Sequence, residues 1–149
     1  MNSKVTVLGA GSWGTSLAVH LAHKGLPVVL WARGEKAIEN LKKTRENRKY
    51  LPGIKLNEKI KLTNDLATAL KNTKYIVFAV PSQGVRQLAI TIRPFLPEKA
   101  IIISTAKGFE KQTKLRMTEV IETVLPELQD RITVLSGPSH AEEVARQLP

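Results

Sequence analysis

Short apolar runs along the chain alternate with stretches whose apolar residues recur every three or four positions. That alternation predicts strands and helices in turn. The first strand is expected over Lys4–Leu8 and the second over Val28–Trp31. Between them Leu17, Ala18, Leu21 and Ala22 predict a helix over Ser12–Lys24, with Gly25 as its C-terminal cap. Glu35–Lys43 predicts a helix with only Ile38 and Leu41 as strong apolar anchors, so it should lie at the surface. Asn47–Leu56 contains Tyr-Leu-Pro-Gly and reads as a loop. Lys59–Leu62 is a short, weak strand, and Thr63 or Asn64 then caps a helix carrying Leu66, Ala67 and Leu70.

Two later runs, Tyr75–Val80 and Ala100–Ser104, are almost continuously apolar, as strands buried on both faces of a parallel sheet are. Pro81 stops the first of them. The next helix carries Val85, Leu88, Ala89 and Ile92, and Pro94 and Pro97 punctuate its end. A helix with Leu115, Met117, Val120, Ile121 and Val124 leads to a last strand, Ile132–Leu135. Gly137-Pro138-Ser139 then turns into a helix start at Ala141–Ala145. Alternation of this kind implies an α/β fold, a doubly wound, mostly parallel sheet with helices on both faces. A chain of 149 residues suits one domain, 1–149.

The first strand runs directly into Gly9-Ala10-Gly11-Ser12-Trp13-Gly14, and a helix follows. Strand, G-x-G-x-x-G turn and helix in that order are the context of a dinucleotide-binding fingerprint. Gly9 allows the sharp turn, Gly11 lets backbone approach a pyrophosphate, and Gly14 lets helix and strand pack closely. The amides near Ser12, Trp13 and Gly14 would face the anion at the positive end of the helix dipole.

Composition narrows the partners. Twenty-three Lys and Arg against thirteen Asp and Glu give a net charge of +10. Much of the excess lies between Lys36 and Lys61, where Tyr50 is the one aromatic. A single-stranded nucleic-acid surface would interleave stacking aromatics with charge, so phosphorylated small molecules are the better partners and nucleic acid is not expected. There is no cysteine, and three scattered histidines do not suggest a metal site. The run after Met1-Asn2-Ser3-Lys4 is too short for a signal peptide, and no run is long enough to span a membrane. A cytoplasmic protein is the default expectation.

Ligands of doubly wound sheets bind beyond the carboxyl ends of the strands. Candidate chemistry is therefore sought at Gly9–Gly14, Ala32–Arg33, Pro81–Gln83, Thr105–Gly108 and Ser136–His140. An NAD-specific site usually carries an acid at the end of the second strand. Here Ala32 and Arg33 stand there, and Arg33 could pair with a 2′-phosphate, which favours NADPH over NADH; Glu35 is close enough to complicate that preference. Lys36 and Tyr50 are candidates for the adenosine side.

Laid out in order, the motifs resemble the bacterial-type NAD(P)-dependent glycerol-3-phosphate dehydrogenases. They are Gly9–Thr15, Leu30–Arg33 (Leu-Trp-Ala-Arg), Tyr50–Gly53, Ala79–Ser82 (Ala-Val-Pro-Ser), Ala106-Lys107-Gly108 and Ser136–Val144. The resemblance implies a Rossmann-type cofactor-binding domain. It implies cofactor contacts at Ser12, Trp13, Arg33, Tyr50, Lys107 and Ala141, and substrate contacts at Lys107, Gly137 and Ser139. It implies reversible hydride transfer between NAD(P)H and dihydroxyacetone phosphate, giving sn-glycerol 3-phosphate for phospholipid synthesis. Members carry a second, helical domain with the general acid/base lysine, and a homodimer is plausible. That domain has no counterpart in this sequence, so a fragment without turnover of its own is expected.

Individual residues carry competing readings. Lys107 is a loop lysine by spacing alone, but its place after a strand suits a substrate oxyanion or phosphate. Ser139 can donate to substrate or cap the following helix, with Glu142 completing a capping box. His140 reads as a packing residue facing the absent domain rather than a general base. His20 and His23 read as surface residues. Trp13 reads either as a lid on the pyrophosphate and nicotinamide or as a core residue, and its place in the turn favours the cofactor. Two other functions remain open: a stand-alone NADPH-binding module without catalysis, and a reductase of another small phosphorylated or hydroxy-acid substrate.

Overall fold

The computed structural model describes residues 3–148. Met1, Asn2 and Pro149, the ends of the domain expected over 1–149, lie outside the described residues. Six strands form one parallel sheet: β1 (Val5–Leu8), β2 (Val28–Trp31), β3 (Lys61–Thr63), β4 (Tyr75–Phe78), β5 (Ile101–Ser104) and β6 (Ile132–Val134). Their order across the sheet is β3-β2-β1-β4-β5-β6, which is doubly wound with its reversal between β1 and β4. The register pairs Leu8 with both Trp31 and Phe78, so three central strands end level with one another. Five α-helices connect them, α1 (Ser12–His23), α2 (Glu35–Thr44), α3 (Leu66–Leu70), α4 (Val85–Ile92) and α5 (Met117–Val124), and α6 (Ala141–Ala145) follows β6.

The continuous apolar strands are buried for the reason expected of them. One face of the sheet packs Leu8, Ile76, Phe78 and Ile102 against Val85, Leu88, Ile92, Val120 and Ile121. The other packs Val5, Val7, Leu30 and Val77 against Leu17, Ala18, Ile38 and Leu41. Helix α2 buries only Ile38 and Leu41, so its surface placement holds. Gly25 adopts the left-handed conformation just past α1 (φ 81°), as the cap prediction requires.

Several local expectations are corrected. β4 ends at Phe78, not Val80. Its neighbour β1 stops at Leu8 and leaves as the glycine turn, so Ala79 keeps one bond to the Leu8 carbonyl (2.9 Å) and the ladder ends. β3 is displaced to Lys61–Thr63. The cap of α3 is neither Thr63 nor Asn64 but Asp65, whose carboxylate accepts from the Thr68 amide at 2.9 Å. Helix α5 starts at Met117, leaving Leu115 in the preceding turn, because the Glu119 carboxylate accepts from the Arg116 amide (2.8 Å) and fixes the start there.

Part of the basic excess gathers at the edge where the strands begin. Lys4, Lys42, Arg45, Lys59, Lys61 and Lys71 line an open cavity of about 810 Å3 there. Carboxyl ends of helices point to this edge, and cations offset the negative end of a helix dipole. Lys4 donates to the Lys71 carbonyl at 2.7 Å, and Arg45 donates to the carbonyls of Ile60 (3.1 Å) and Asn57. Burial, and then the charge of Lys61, lower the Lys4 pKa. No helix among the described residues is long and apolar enough to cross a membrane.

Candidate functional site

The strand ends and the glycine turn define a groove of about 650 Å3 at the reversal point of the sheet. Gly9 and Gly11 line it from the turn, Arg33 from the end of β2, Tyr50 from the long loop, and Val80 and Pro81 from beyond β4. Gly9 has φ 117°, and a Cβ on it would stand 2.9 Å from the Ala79 carbonyl carbon. Gly14 is buried, and a Cβ there would collide with the Gly9 carbonyl oxygen. Both are glycines because the protein itself leaves no room.

Gly11 is different. Its φ of −75° and ψ of −172° suit any residue, and a Cβ there would meet no atom within 4 Å. Nothing within the described residues requires glycine at this position. It is the N-cap of α1, without a side-chain cap and without an acid in the first turn. The first bond of that helix runs from the Thr15 amide to the Gly11 carbonyl at 3.0 Å, so the amides of residues 12–14 precede the helical ladder. Open space beside these amides fits the pyrophosphate of a dinucleotide.

The loop after α2 is tied to the turn by a residue that sequence reasoning missed. Asn47 is buried; its Nδ2 donates to the Ala10 carbonyl (2.9 Å) and to Thr15 Oγ1 (2.8 Å). Its Oδ1 accepts from the Tyr50 amide at 3.3 Å. The Tyr50 ring, half-exposed, carries the Lys49 ammonium 4.8 Å from its centroid. Arg33 is exposed at the groove. Lys36 is not among its lining residues; Ala37, Asn40 and Leu41 supply the α2 side. Trp31 lines the groove from the core and donates its indole N–H to the Asn64 carbonyl at 2.9 Å.

The remaining sequence candidates meet in a second cavity of about 660 Å3, between α1, α6 and the segment after β6. Ser12, Trp13, Lys107, Gly137, Ser139, His140 and Ala141 all line it. Ser16, fully buried on α1, donates to the Ala141 carbonyl at 2.7 Å and fixes α6 there. Two expectations fail here. The N-cap of α6 is His140 and has no side-chain cap, so Ser139 and Glu142 form no capping box. His20 is not a surface residue: it is half-buried, lines this cavity, and its Nδ1 is buried without a partner among the described residues. A turn of α1 carries it to the same side as Ser16.

Lys107 is exposed on the segment that leaves β5. Just downstream the Glu110 carboxylate accepts both arms of the Arg86 guanidinium at 2.8 Å each, and the Thr113 hydroxyl at 2.5 Å. Those bonds, the Arg86 pair first, lower the Glu110 pKa from 4.5 to about 2. A carboxyl with a lowered folded pKa holds its proton more weakly folded than unfolded. Its contribution to stability is therefore complete above pH 4.5 and lost as pH falls toward about 2. Urea midpoints of the parent chain and Glu110→Gln should differ at pH 6, and the difference should shrink as pH falls below 4.5 and close only near pH 2; a constant difference would refute this linkage.

The comparisons with known proteins agree with this geometry. A family model described as the N-terminus of NAD-dependent glycerol-3-phosphate dehydrogenase matches residues 4–149. The chain belongs to this family. The glycerol-3-phosphate dehydrogenase (NAD(P)+) of Carboxydothermus hydrogenoformans is 51% identical over 146 residues, 98% of this chain and 44% of that protein. That of Moorella thermoacetica is 50% identical over 149 residues, all of this chain and 44% of the relative. The crystal structure of glycerol-3-phosphate dehydrogenase from Coxiella burnetii superimposes with a TM-score of 0.89 at 35% identity, covering 99% of this chain and 45% of that one. The chain thus spans less than half the length of the dehydrogenases it matches. The reading as a Rossmann-type NAD-binding domain of an oxidoreductase family stands.

Proposed function

We propose that this chain is the cofactor-binding half of an NAD(P)-dependent glycerol-3-phosphate dehydrogenase. Gly11 carries the proposal, because neither its backbone angles nor its surroundings explain a glycine there. Gly9, Gly11, Ser12, Trp13 and Gly14 would form the pyrophosphate turn, with Arg33, Tyr50, Lys107 and Ala141 as further cofactor contacts. A bound nicotinamide dinucleotide supplies the hydride exchanged with carbon 2 of dihydroxyacetone phosphate. Lys107, Gly137 and Ser139 would face the substrate, with Lys107 holding the developing negative charge. The acid/base lysine would come from the helical domain that the longer relatives carry, and the assembled enzyme would work in the cytoplasm on sn-glycerol 3-phosphate.

Arg33 makes NADPH the preferred cofactor, since an exposed guanidinium at the end of β2 can pair with a 2′-phosphate. Quenching of Trp13 and Trp31 in separate titrations with NADPH and NADH tests this. Arg33→Ala should weaken NADPH about tenfold or more and NADH by less than about twofold. Equal losses for both cofactors would remove the 2′-phosphate role. Saturable binding to neither, in a folded chain, would overturn the reading.

A further inference from the structure

The segment carrying Lys107 is held at both ends. Upstream, the Thr105 amide (3.1 Å) and hydroxyl (2.9 Å) both donate to the Phe78 carbonyl at the end of β4. Downstream, Gly108 turns the chain with φ 97°, and residues 109–116 close into a small hairpin. Phe109 bridges Arg116, the Glu110 amide donates to the Leu115 carbonyl (2.9 Å), and the Lys114 amide donates to the Glu110 carbonyl (2.9 Å).

Two side chains, Arg86 at the start of α4 and Gln83 in the turn just before it, grip that hairpin. Arg86 holds the Glu110 carboxylate, and its third nitrogen reaches Thr123 Oγ1 of α5 at 3.3 Å. Gln83 holds the backbone. Its Nε2 donates to the Phe109 carbonyl (3.0 Å), and its Oε1 accepts from the Lys111 amide (3.1 Å). A carboxamide used this way copies the pairing of a neighbouring strand and fits one position of the hairpin.

Gln83 stands in a single turn of 3-10 helix, Ser82–Gly84, that follows Pro81. The Gly84 amide closes the turn on the Pro81 carbonyl at 2.8 Å. Val80, Pro81 and Gly84 line the groove. One side of this turn therefore borders the groove while Gln83 grips the Lys107 hairpin.

We infer that Gln83 is a positioning residue that links filling of the groove to the placement of Lys107. The Arg86–Glu110 pair anchors the hairpin, and Gln83 transmits a shift of the 81–84 turn to residues 107–111. This inference rests on the reading of the groove as a dinucleotide site.

Coupling of this kind makes the response of the hairpin depend on Gln83. Amide 15N–1H spectra of the chain are followed during titration with NADPH. In the parent chain, signals of residues 9–14 and of residues 109–111 should both move with the same saturation. In Gln83→Ala and in the length-matched Gln83→Met, residues 9–14 should respond with an affinity within about twofold of the parent, while the response at 109–111, the part of the hairpin that Gln83 bonds and that lies beyond the proposed contact at Lys107, is lost. Gln83→Glu keeps the acceptor for the Lys111 amide and should restore part of it.

Gln83 is exposed, so these variants should fold. A hairpin response that survives in Gln83→Ala would mean that the ligand touches the hairpin directly, and would overturn the inference. A parent chain in which 9–14 respond and 109–111 do not would overturn it as well. No saturable response at 9–14 would overturn the dinucleotide reading itself, and the inference with it.

Discussion

Gly11→Ala is expected to fold like the parent chain and to bind NADPH about 100-fold more weakly, a loss of about 2.8 kcal/mol. The added methyl meets nothing within the protein, and the residue's extended backbone accepts alanine. Alanine is a poorer N-cap than glycine, but it also restricts the unfolded chain, and these small terms oppose each other. The melting temperature should therefore move by no more than about 2 °C. The methyl would instead occupy the space where backbone approaches the pyrophosphate. Circular dichroism melting and tryptophan quenching on the same sample measure both halves. Undiminished binding would remove the pyrophosphate from this turn, and a large drop in melting temperature would give Gly11 a structural role.

Gly14→Ala should do the opposite, costing stability before it costs binding. Helix propensity alone favours alanine by about 1 kcal/mol at a position inside a helix. The structure reverses the sign. The new Cβ would overlap the Gly9 carbonyl oxygen and stand 3.0 Å from the Ala79 Cβ, and neither of these atoms, one backbone and one a Cβ, can rotate away. Helix α1 would have to withdraw from the ends of β1 and β4. Overpacking of this kind costs about 3 kcal/mol, or a fall of about 6–12 °C for a chain of this size. Urea and thermal unfolding decide the matter. A variant as stable as the parent would show that α1 does not pack on Gly9 and Ala79 as closely as described.

Much of the architecture was legible because the forces behind it are local. Runs such as 75–78 and 101–104 are apolar because both faces of a central parallel strand are covered. Helices α4 and α5 announce themselves by apolar spacing, with Val85, Leu88, Ala89 and Ile92 buried on one and Met117, Val120 and Ile121 on the other. Boundaries were less legible. Thr63, Asn64 and Asp65 are all capping residues, and the choice of Asp65 depends on where β3 releases the chain. The early end of β4 depends on the departure of β1, which lies far away in sequence.

The glycine turn, Arg33, Tyr50, Lys107 and the 136–141 segment were visible as residues that follow strands. Their supports were not. Asn47 reaches Ala10 across 37 positions, Arg86 reaches Glu110 across 24, and Ser16 reaches Ala141 across 125. A single Asn, Gln or Ser in a loop or on a helix carries no sequence signal of such a bond. His20 was misplaced for the same reason, because α6 returns to cover its side of α1.

The sequence by itself determined the element types, the α/β class, the family and the residues that could meet a dinucleotide. Those follow from periodicity and motif, which act over a few residues. Only the tertiary structure separated Gly11 from Gly9 and Gly14 by cause, placed the candidates in two cavities, and joined the Lys107 hairpin to the turn at Gln83. Those outcomes depend on which distant atoms share space, and packing and hydrogen bonding set that only once the sheet has closed.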